Sequence, residues 1–133
     1  MPVEVASLAL SPDGLVLALG DNSGGVRLVD ALDGRAITTL PAPEGEADDH
    51  AWSLAFSPDG KLLAVGSRGR VRLWSLGDSP HPLVHLPGHR SHIRLIAFSP
   101  DGRRLATSSD DPVIEVWDLS LIHRELDRLG VGW

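Results

Sequence analysis

Apolar and small or polar residues follow one order in three segments of the chain. Each segment has an apolar run, a Ser-Pro-Asp-Gly turn, a second apolar run, a polar turn and a third run with a charged residue inside. The segments cover residues 5–30, 51–75 and 93–118. Short apolar runs bounded by turn residues are typical of β-strands. We therefore predict three short strands in each segment.

The Ser-Pro-Asp-Gly string begins at Ser11, Ser57 and Ser99, so its copies lie 46 and 42 residues apart. Pro presets φ, Asp bonds back to its own backbone and Gly accepts a positive φ, which together close a hairpin. A catalytic serine on a nucleophile elbow would instead need Gly-x-Ser-x-Gly before a helix. The three serines are therefore predicted to stabilise turns.

Two further β-rich runs, at residues 36–43 and 82–89, lie between the segments and predict a fourth strand for the first two units. Four-stranded antiparallel sheets that recur every 40 to 50 residues are typical of blades stacked around an axis. The fold class predicted is all-β: a partial β-propeller of three four-stranded blades, the last one incomplete. After Asp118 the spacing of Ile122, Leu126 and Leu129 predicts a short helix, with Gly130 as its stop.

Composition narrows the classes of partner. The net charge is −6 and no Lys/Arg block is present, so neither nucleic acid nor an anionic membrane is expected as a partner. The chain has no cysteine, which excludes disulfides and thiolate chemistry. The N-terminal residues carry no basic region before their apolar stretch, so we predict neither a signal peptide nor a membrane span. A cytoplasmic protein without a bound cofactor is the expectation.

The third unit has a Gly88-His89 pair before it and a Trp117-Asp118 pair at its end, which resembles the WD40 repeat. The second unit ends in Trp74-Ser75 and the first in Val29-Asp30, each half of the motif. The resemblance implies three repeats, at 3–46, 47–88 and 89–119, that form a partial propeller over 1–119, followed by a helical tail over 120–133. The tail is also similar to the C-terminal ends of large bacterial WD40 proteins, notably planctomycete ones.

In the WD40 family a buried hydrogen-bonded tetrad connects turns to strands. The resemblance implies that its members here are His89, Ser109 (or Thr107), Asp111 and Trp117. Such a chain of donors and acceptors leaves no buried polar group without a partner. The second unit has no acid in its shorter turn and Ala47 in place of the Gly-His pair, so its tetrad is expected to be broken.

Two clusters raise the question of a metal or catalytic site. Four histidines lie within twelve residues, but residues four apart on a strand are about 13 Å apart, too far to share one ion. An acidic run over residues 41–50 lacks the Asp-x-Asp-x-Asp-Gly register of a calcium loop. We expect solvated or structural roles for both clusters, and no metal or catalytic residue. The histidines are His81, His85, His89 and His92, and the acids are Glu44, Glu46, Asp48 and Asp49.

The resemblance implies a non-enzymatic protein-interaction scaffold. In this family the rim made by the fourth-to-first strand connections and the second-to-third strand turns receives protein or peptide partners. The matching residues here are His50, Trp52, Arg68, His92, Arg94 and Asp110. The alternative is the C-terminal propeller part of a multidomain bacterial regulator or enzyme, such as a Ser/Thr kinase, whose catalytic part is absent.

Three blades leave two sheet faces open, because propellers close with about four to eight blades. Large apolar patches of this kind need a cover in water. Either the chain is part of a longer propeller, or several copies associate to complete a ring. The first explanation is favoured.

Overall fold

The computed structural model describes residues 5–41, 51, 53–77, 79–110 and 114–129. Ten strands and one helix account for most of them. The strands are β1 (Val5–Leu10), β2 (Val16–Asp21), β3 (Val26–Asp30), β4 (Ala36–Leu40), β5 (Ser53–Phe56), β6 (Leu62–Gly66), β7 (Arg68–Ser75), β8 (His81–Phe98), β9 (Arg104–Ser109) and β10 (Ile114–Asp118), and the helix is α1 (Leu119–Arg128).

The strands form three antiparallel blades that follow one another along the chain. Blade 1 consists of β1 to β4 in sequence order. Blade 2 contains β5, β6, β7 and the first part of β8, and blade 3 contains the second part of β8 with β9 and β10. The sheets therefore have four, four and three strands, as the all-β partial propeller predicts.

Strand β8 belongs to two blades. Its residues from His81 onwards pair with β7, and those from Ile93 to Phe98 pair with β9. The sequence predicted a strand up to His89 and a new one from Ile93, whereas the backbone stays extended through all 18 residues. The continuous strand joins blades 2 and 3 in one six-stranded ladder.

The first turn of each blade is built as the Ser-Pro-Asp-Gly string predicts. Gly14, Gly60 and Gly102 have φ of 75°, 75° and 73°. In blade 1 the Ser11 hydroxyl donates to Asp13 Oδ1 at 2.5 Å and accepts from Val16 N at 3.0 Å. The other two turns repeat both bonds. The structural role of these serines is confirmed.

Two apolar clusters lie between the blades. The cluster between blades 1 and 2 is centred on buried side chains that include Ala18, Leu28, Leu63 and Trp74. The cluster between blades 2 and 3 includes Leu73 and Leu105. Blade 2 is therefore covered on both faces, and blades 1 and 3 are each covered on one.

The C-terminal helix predicted from the spacing of apolar residues is confirmed as α1. Asp118 caps its N-terminus, since its carboxylate accepts hydrogen bonds from Ser120 N and Leu121 N. These bonds, with one from the Ser120 hydroxyl, lower the pKa of Asp118. Leu119 is buried in the second cluster and Ile122 packs against it, so the helix is attached to the propeller core. Gly130 lies outside the described residues.

Candidate partner-binding surfaces

The rim predicted from the sequence is described for three of its six residues. Arg68 begins β7, and Arg94 lies on β8 opposite the end of β9. Arg94 Nε and Nη2 both donate to the Asp110 carboxylate at 3.1 Å, and this bond raises the pKa of Arg94. Both side chains are about half exposed. For the other three, His50 and Trp52 lie outside the described residues, as does the side chain of His92.

The tetrad predicted for blade 3 is described in part. Thr107 is 2% exposed, whereas Ser109 is half-buried, so burial favours Thr107 as the hydroxyl member. Trp117 Nε1 is buried and has no acceptor among the described residues. Asp111 and the side chain of His89 lie outside them. The tetrad therefore stays a prediction.

Blade 2, whose repeat carries only half of the WD40 motif, has buried polar groups near the positions of the tetrad. Ser67 Oγ and Trp74 Nε1 are buried without a hydrogen-bond partner in the described part of the chain. The expectation that the second unit lacks the tetrad stays a prediction, because residue 47 lies outside the described residues. Arg72 makes one of the polar contacts between blades 1 and 2: it is 3% exposed and donates from Nη2 to Gly24 O of blade 1 at 3.1 Å. A buried cation thus connects the third strand of blade 2 to a turn of blade 1.

Two of the four histidines that raised the question of a metal site, His81 and His85, have described side chains. Among the side chains that the structure describes, no three His, Asp or Glu lie close enough to hold an ion. His81 and His85 are exposed on β8, and the side chains of His89 and His92 are not described. The acidic run at 42–50 lies outside the described residues.

A cavity of about 470 Å³ opens between blades 1 and 2 at the end that carries the Ser-Pro-Asp-Gly turns. This is the end opposite the predicted rim, because the first and second turns of a blade lie at opposite ends of its strands. Two exposed carboxylates, Asp13 and Asp59, line the cavity beside an apolar wall. The wall includes Val16, Leu28, Phe56 and Leu76. We call this cavity the inter-blade groove.

Both acids of the inter-blade groove are held ionised by the turns. Hydrogen bonds from the Ser11 hydroxyl and Leu15 N lower the pKa of Asp13. Partial burial raises the pKa of Asp59, but hydrogen bonds from the Ser57 hydroxyl and Lys61 N outweigh it and the net shift is downward. The turn bonds are made to Oδ1 of each acid. Because both pKa values are lowered, the two carboxylates are ionised at neutral pH. The groove combines apolar surface with two anionic groups.

Sequence reasoning missed the inter-blade groove because its walls come from different units. The turn of blade 1, the turn of blade 2 and the segment after β7 meet there, including Gly77 and Pro80. The signal in the sequence was the recurrence of the turn itself, since equal turns on adjacent blades bring Asp13 and Asp59 to one cavity. Spacing along one unit does not show that proximity.

Repeated antiparallel blades that pack face to face define the class of the protein as a β-propeller segment. The WD domain, G-beta repeat family matches residues 34–75 and 80–118, so the chain belongs to the WD40 family. Among the described residues no helix is long and apolar enough to cross a membrane.

Relatives of the chain are WD40 proteins of greater length. It is 33% identical to the WD repeat-containing protein SL1-17 of Schistosoma mansoni and covers 38% of that protein with 89% of its own length. It is 38% identical to the target of rapamycin complex subunit wat1 of Schizosaccharomyces pombe over 71% of the chain and 29% of that subunit. The crystal structure of the RRP9 WD40 repeats matches 91% of the chain and 37% of its own, with a TM-score of 0.80 and 25% identity. The chain thus spans less than two fifths of each of these proteins, and the named organisms are eukaryotic.

Proposed function

We propose that the chain is a non-enzymatic protein-interaction scaffold that receives a partner peptide in the inter-blade groove. The observation that carries this proposal is the groove itself, a concave site of about 470 Å³ with apolar and anionic walls. Ligand sites are typically concave and mostly apolar, with a few polar groups that set orientation. The turn serines are engaged in hydrogen bonds to their own turns, which supports binding rather than catalysis.

The chemistry of the groove favours a segment with a large apolar residue next to Arg or Lys. The apolar wall around Phe56 and Leu76 removes hydrocarbon from water, and the Asp13 and Asp59 carboxylates attract a cation. The wat1 relative is named as a complex subunit, which agrees with a role in protein assembly.

A random peptide library displayed on phage and selected against the full chain tests the proposal. We expect the selected peptides to combine Arg or Lys with an adjacent large apolar residue. In the D13N/D59N variant each Asn keeps the Oδ1 acceptor of its turn but loses the charge, so binding should weaken about tenfold. Fluorescence anisotropy of a labelled selected peptide measures the change.

The third turn supplies the matched control. Asp101 has the same bonds to Ser99 and Arg103 N as the groove acids have to their turns, but it does not line the groove. The D101N variant should bind the peptide as the wild type does. Equal weakening in D101N and D13N/D59N, or no weakening in either, would contradict the proposal.

The predicted rim is the second candidate surface, supported by the exposed guanidinium of Arg94. Its pairing with Asp110 offsets the charge, which favours the groove over the rim. If R94A abolishes peptide binding while D13N/D59N preserves it, the rim is the binding surface. The tetrad of blade 3, with Thr107 as its hydroxyl, is proposed to support this end of the molecule.

Four finer expectations stay predictions. They are a bacterial source of planctomycete type, a cytoplasmic location, a place at the C-terminal end of a multidomain regulator such as a Ser/Thr kinase, and completion of the ring by self-association. The sequence matches to longer WD40 proteins support a larger propeller as the functional unit.

A further inference from the structure

The two inter-blade interfaces share one polar contact. Ser7 Oγ of β1 donates to the carbonyl of Ala51, the residue at the entry to blade 2, at 2.5 Å. Ser53 Oγ of β5 donates to the carbonyl of Ile93, the corresponding entry residue of blade 3, at 3.0 Å. Each entry residue also donates its N–H to the preceding blade, to Asp21 O and Ser67 O respectively. Each blade therefore holds the start of the next one by backbone and serine together.

A glycine opposite each serine makes room for this contact. Ser7 pairs with Gly20 and Ser53 pairs with Gly66 across the first two strands. A Cβ on Gly20 would lie 2.8 Å from Ala51 Cβ and 2.9 Å from Ala51 O, and a Cβ on Gly66 would lie 2.7 Å and 2.8 Å from Ile93 side-chain atoms. The entry residue occupies the space that a side chain would fill. We call the serine, the glycine and their bond to the entry residue the Ser–Gly contact.

Blade 3 lacks both members of the Ser–Gly contact on its open face. The same two positions hold Leu95 and Ser108, which pair with each other across β8 and β9. Leucine has no hydroxyl to donate, and Ser108 carries the Cβ that the two glycines omit. Leu95 is 70% exposed, and its neighbours on that face, Ile114 and Val116, are 72% and 61% exposed. The open face of blade 3 is apolar, but it has neither the serine that bonds an entry residue nor the space that a glycine leaves for it.

Blade 1 has the complementary half of the contact on its open face. Val5 stands in the sequence column of the entry residues Ala51 and Ile93. Further along β1, Leu8 and Leu10 lie on the open face of blade 1 and are 65% and 56% exposed. In the alignment of the units they correspond to Leu54 and Phe56, which in blade 2 pack against blade 1. This face is therefore equivalent to a face that the structure shows docked on a preceding blade.

We propose that the open face of blade 1 binds a WD40-type blade that carries Ser and Gly at these two positions, and that blade 3 of a second copy is not that partner. The first half rests on Leu8 and Leu10, which match the docked face of blade 2. The second half rests on Leu95 and Ser108, which replace the Ser and Gly found at both observed interfaces. Two copies of this chain do not close a ring in the register that its own blades use.

Restoring the contact on blade 3 tests the proposal with the chain itself. In sedimentation velocity we expect the wild type to be a monomer. The self-association constant of the L95S/S108G variant should be at least about tenfold larger than that of the wild type. The variant should also bind fluorescently labelled wild type, whose blade 1 face is intact. Leu8→Arg in the labelled partner should abolish that binding, because it places a charge in the new interface. Circular dichroism verifies that every variant is folded.

The helix provides a matched control for the loss of exposed apolar surface. Leu121 is 52% exposed and belongs to α1 rather than to a strand of either open face, so L121S should stay monomeric. Association of L95S/S108G no stronger than that of L121S would overturn the proposal. A wild-type dimer that Leu8→Arg dissociates would overturn it as well, because the native blade 3 face would then be the cover.

Discussion

The third strands of blades 2 and 3 carry apolar residues at the same aligned positions, but the exposed fractions of these side chains differ greatly. Val71 and Leu73 of blade 2 are 1% and 0% exposed, and the corresponding Ile114 and Val116 of blade 3 are 72% and 61% exposed. The residue types are nearly interchangeable. The difference comes from the neighbour, since blade 3 covers blade 2 and no described residue covers the open face of blade 3.

This comparison shows what an apolar pattern reports in a repeat fold. The alternation along a strand marks which side is made to face another blade, and the presence of that blade decides whether the side is buried. Equal side chains therefore contribute unequal amounts to stability.

The largest difference is expected for truncation of the third strand. Leu73→Ala should lower the free energy of unfolding by about 2–5 kcal/mol, because it leaves a cavity between blades 2 and 3. Val116→Ala, in the same column of blade 3, should change it by less than about 0.5 kcal/mol. Urea unfolding followed by circular dichroism measures both. Equal costs would mean that the open face of blade 3 is covered in solution.

An intermediate difference is expected at the position opposite the contact serine. Gly66→Ala puts a methyl group against Ile93 and should cost about 1–3 kcal/mol through overpacking of the interface. Ser108→Ala, in the same column of blade 3, meets no next blade and should be nearly neutral. The same unfolding assay compares them. A neutral Gly66→Ala would show that the blades separate more easily than the structure indicates.

The smallest effect concerns the turns, where blades 1 and 3 are alike. Hydrogen bonds from the turn serines and backbone lower the pKa of Asp13 and of Asp101, so folding favours the ionised forms. At acid pH the unfolded chain then binds more protons than the folded chain. The resulting stabilisation of the folded state is present above the ordinary Asp pKa of about 4 and is lost as the pH falls through the lowered pKa values of the folded state. Stability should decrease below about pH 4.

Replacement of one turn acid checks that assignment. D101N keeps the acceptor of the turn but does not titrate, so its free energy of unfolding should fall less steeply between pH 4 and the acid limit than that of the wild type. Chemical denaturation at several pH values gives the two slopes. Identical slopes would assign the acid sensitivity to other carboxylates.

Local chemistry explains which parts of the fold were predictable. The hairpins follow from Ser-Pro-Asp-Gly, and the helix start follows from Asp118 before an amphipathic run, because each signal lies within a few residues. The continuity of β8 was not predictable from the polar residues inside it, since pairing with β7 and β9 at once keeps it extended. The candidate site was likewise predictable only where its residues depend on local sequence. Asp13 was recognised as a turn residue, but the groove depends on its neighbour Asp59 from another unit.

The 18-residue strand β8 sets where the molecule can be divided. The sequence repeat begins and ends near the turns, but the outer strand of blade 2 and the inner strand of blade 3 are one piece of backbone. A protease cut or an insertion between these two repeats would interrupt a ladder that serves both sheets, so neither blade should survive as a separate folding unit. In domain grafting, blades 2 and 3 should therefore be transferred together.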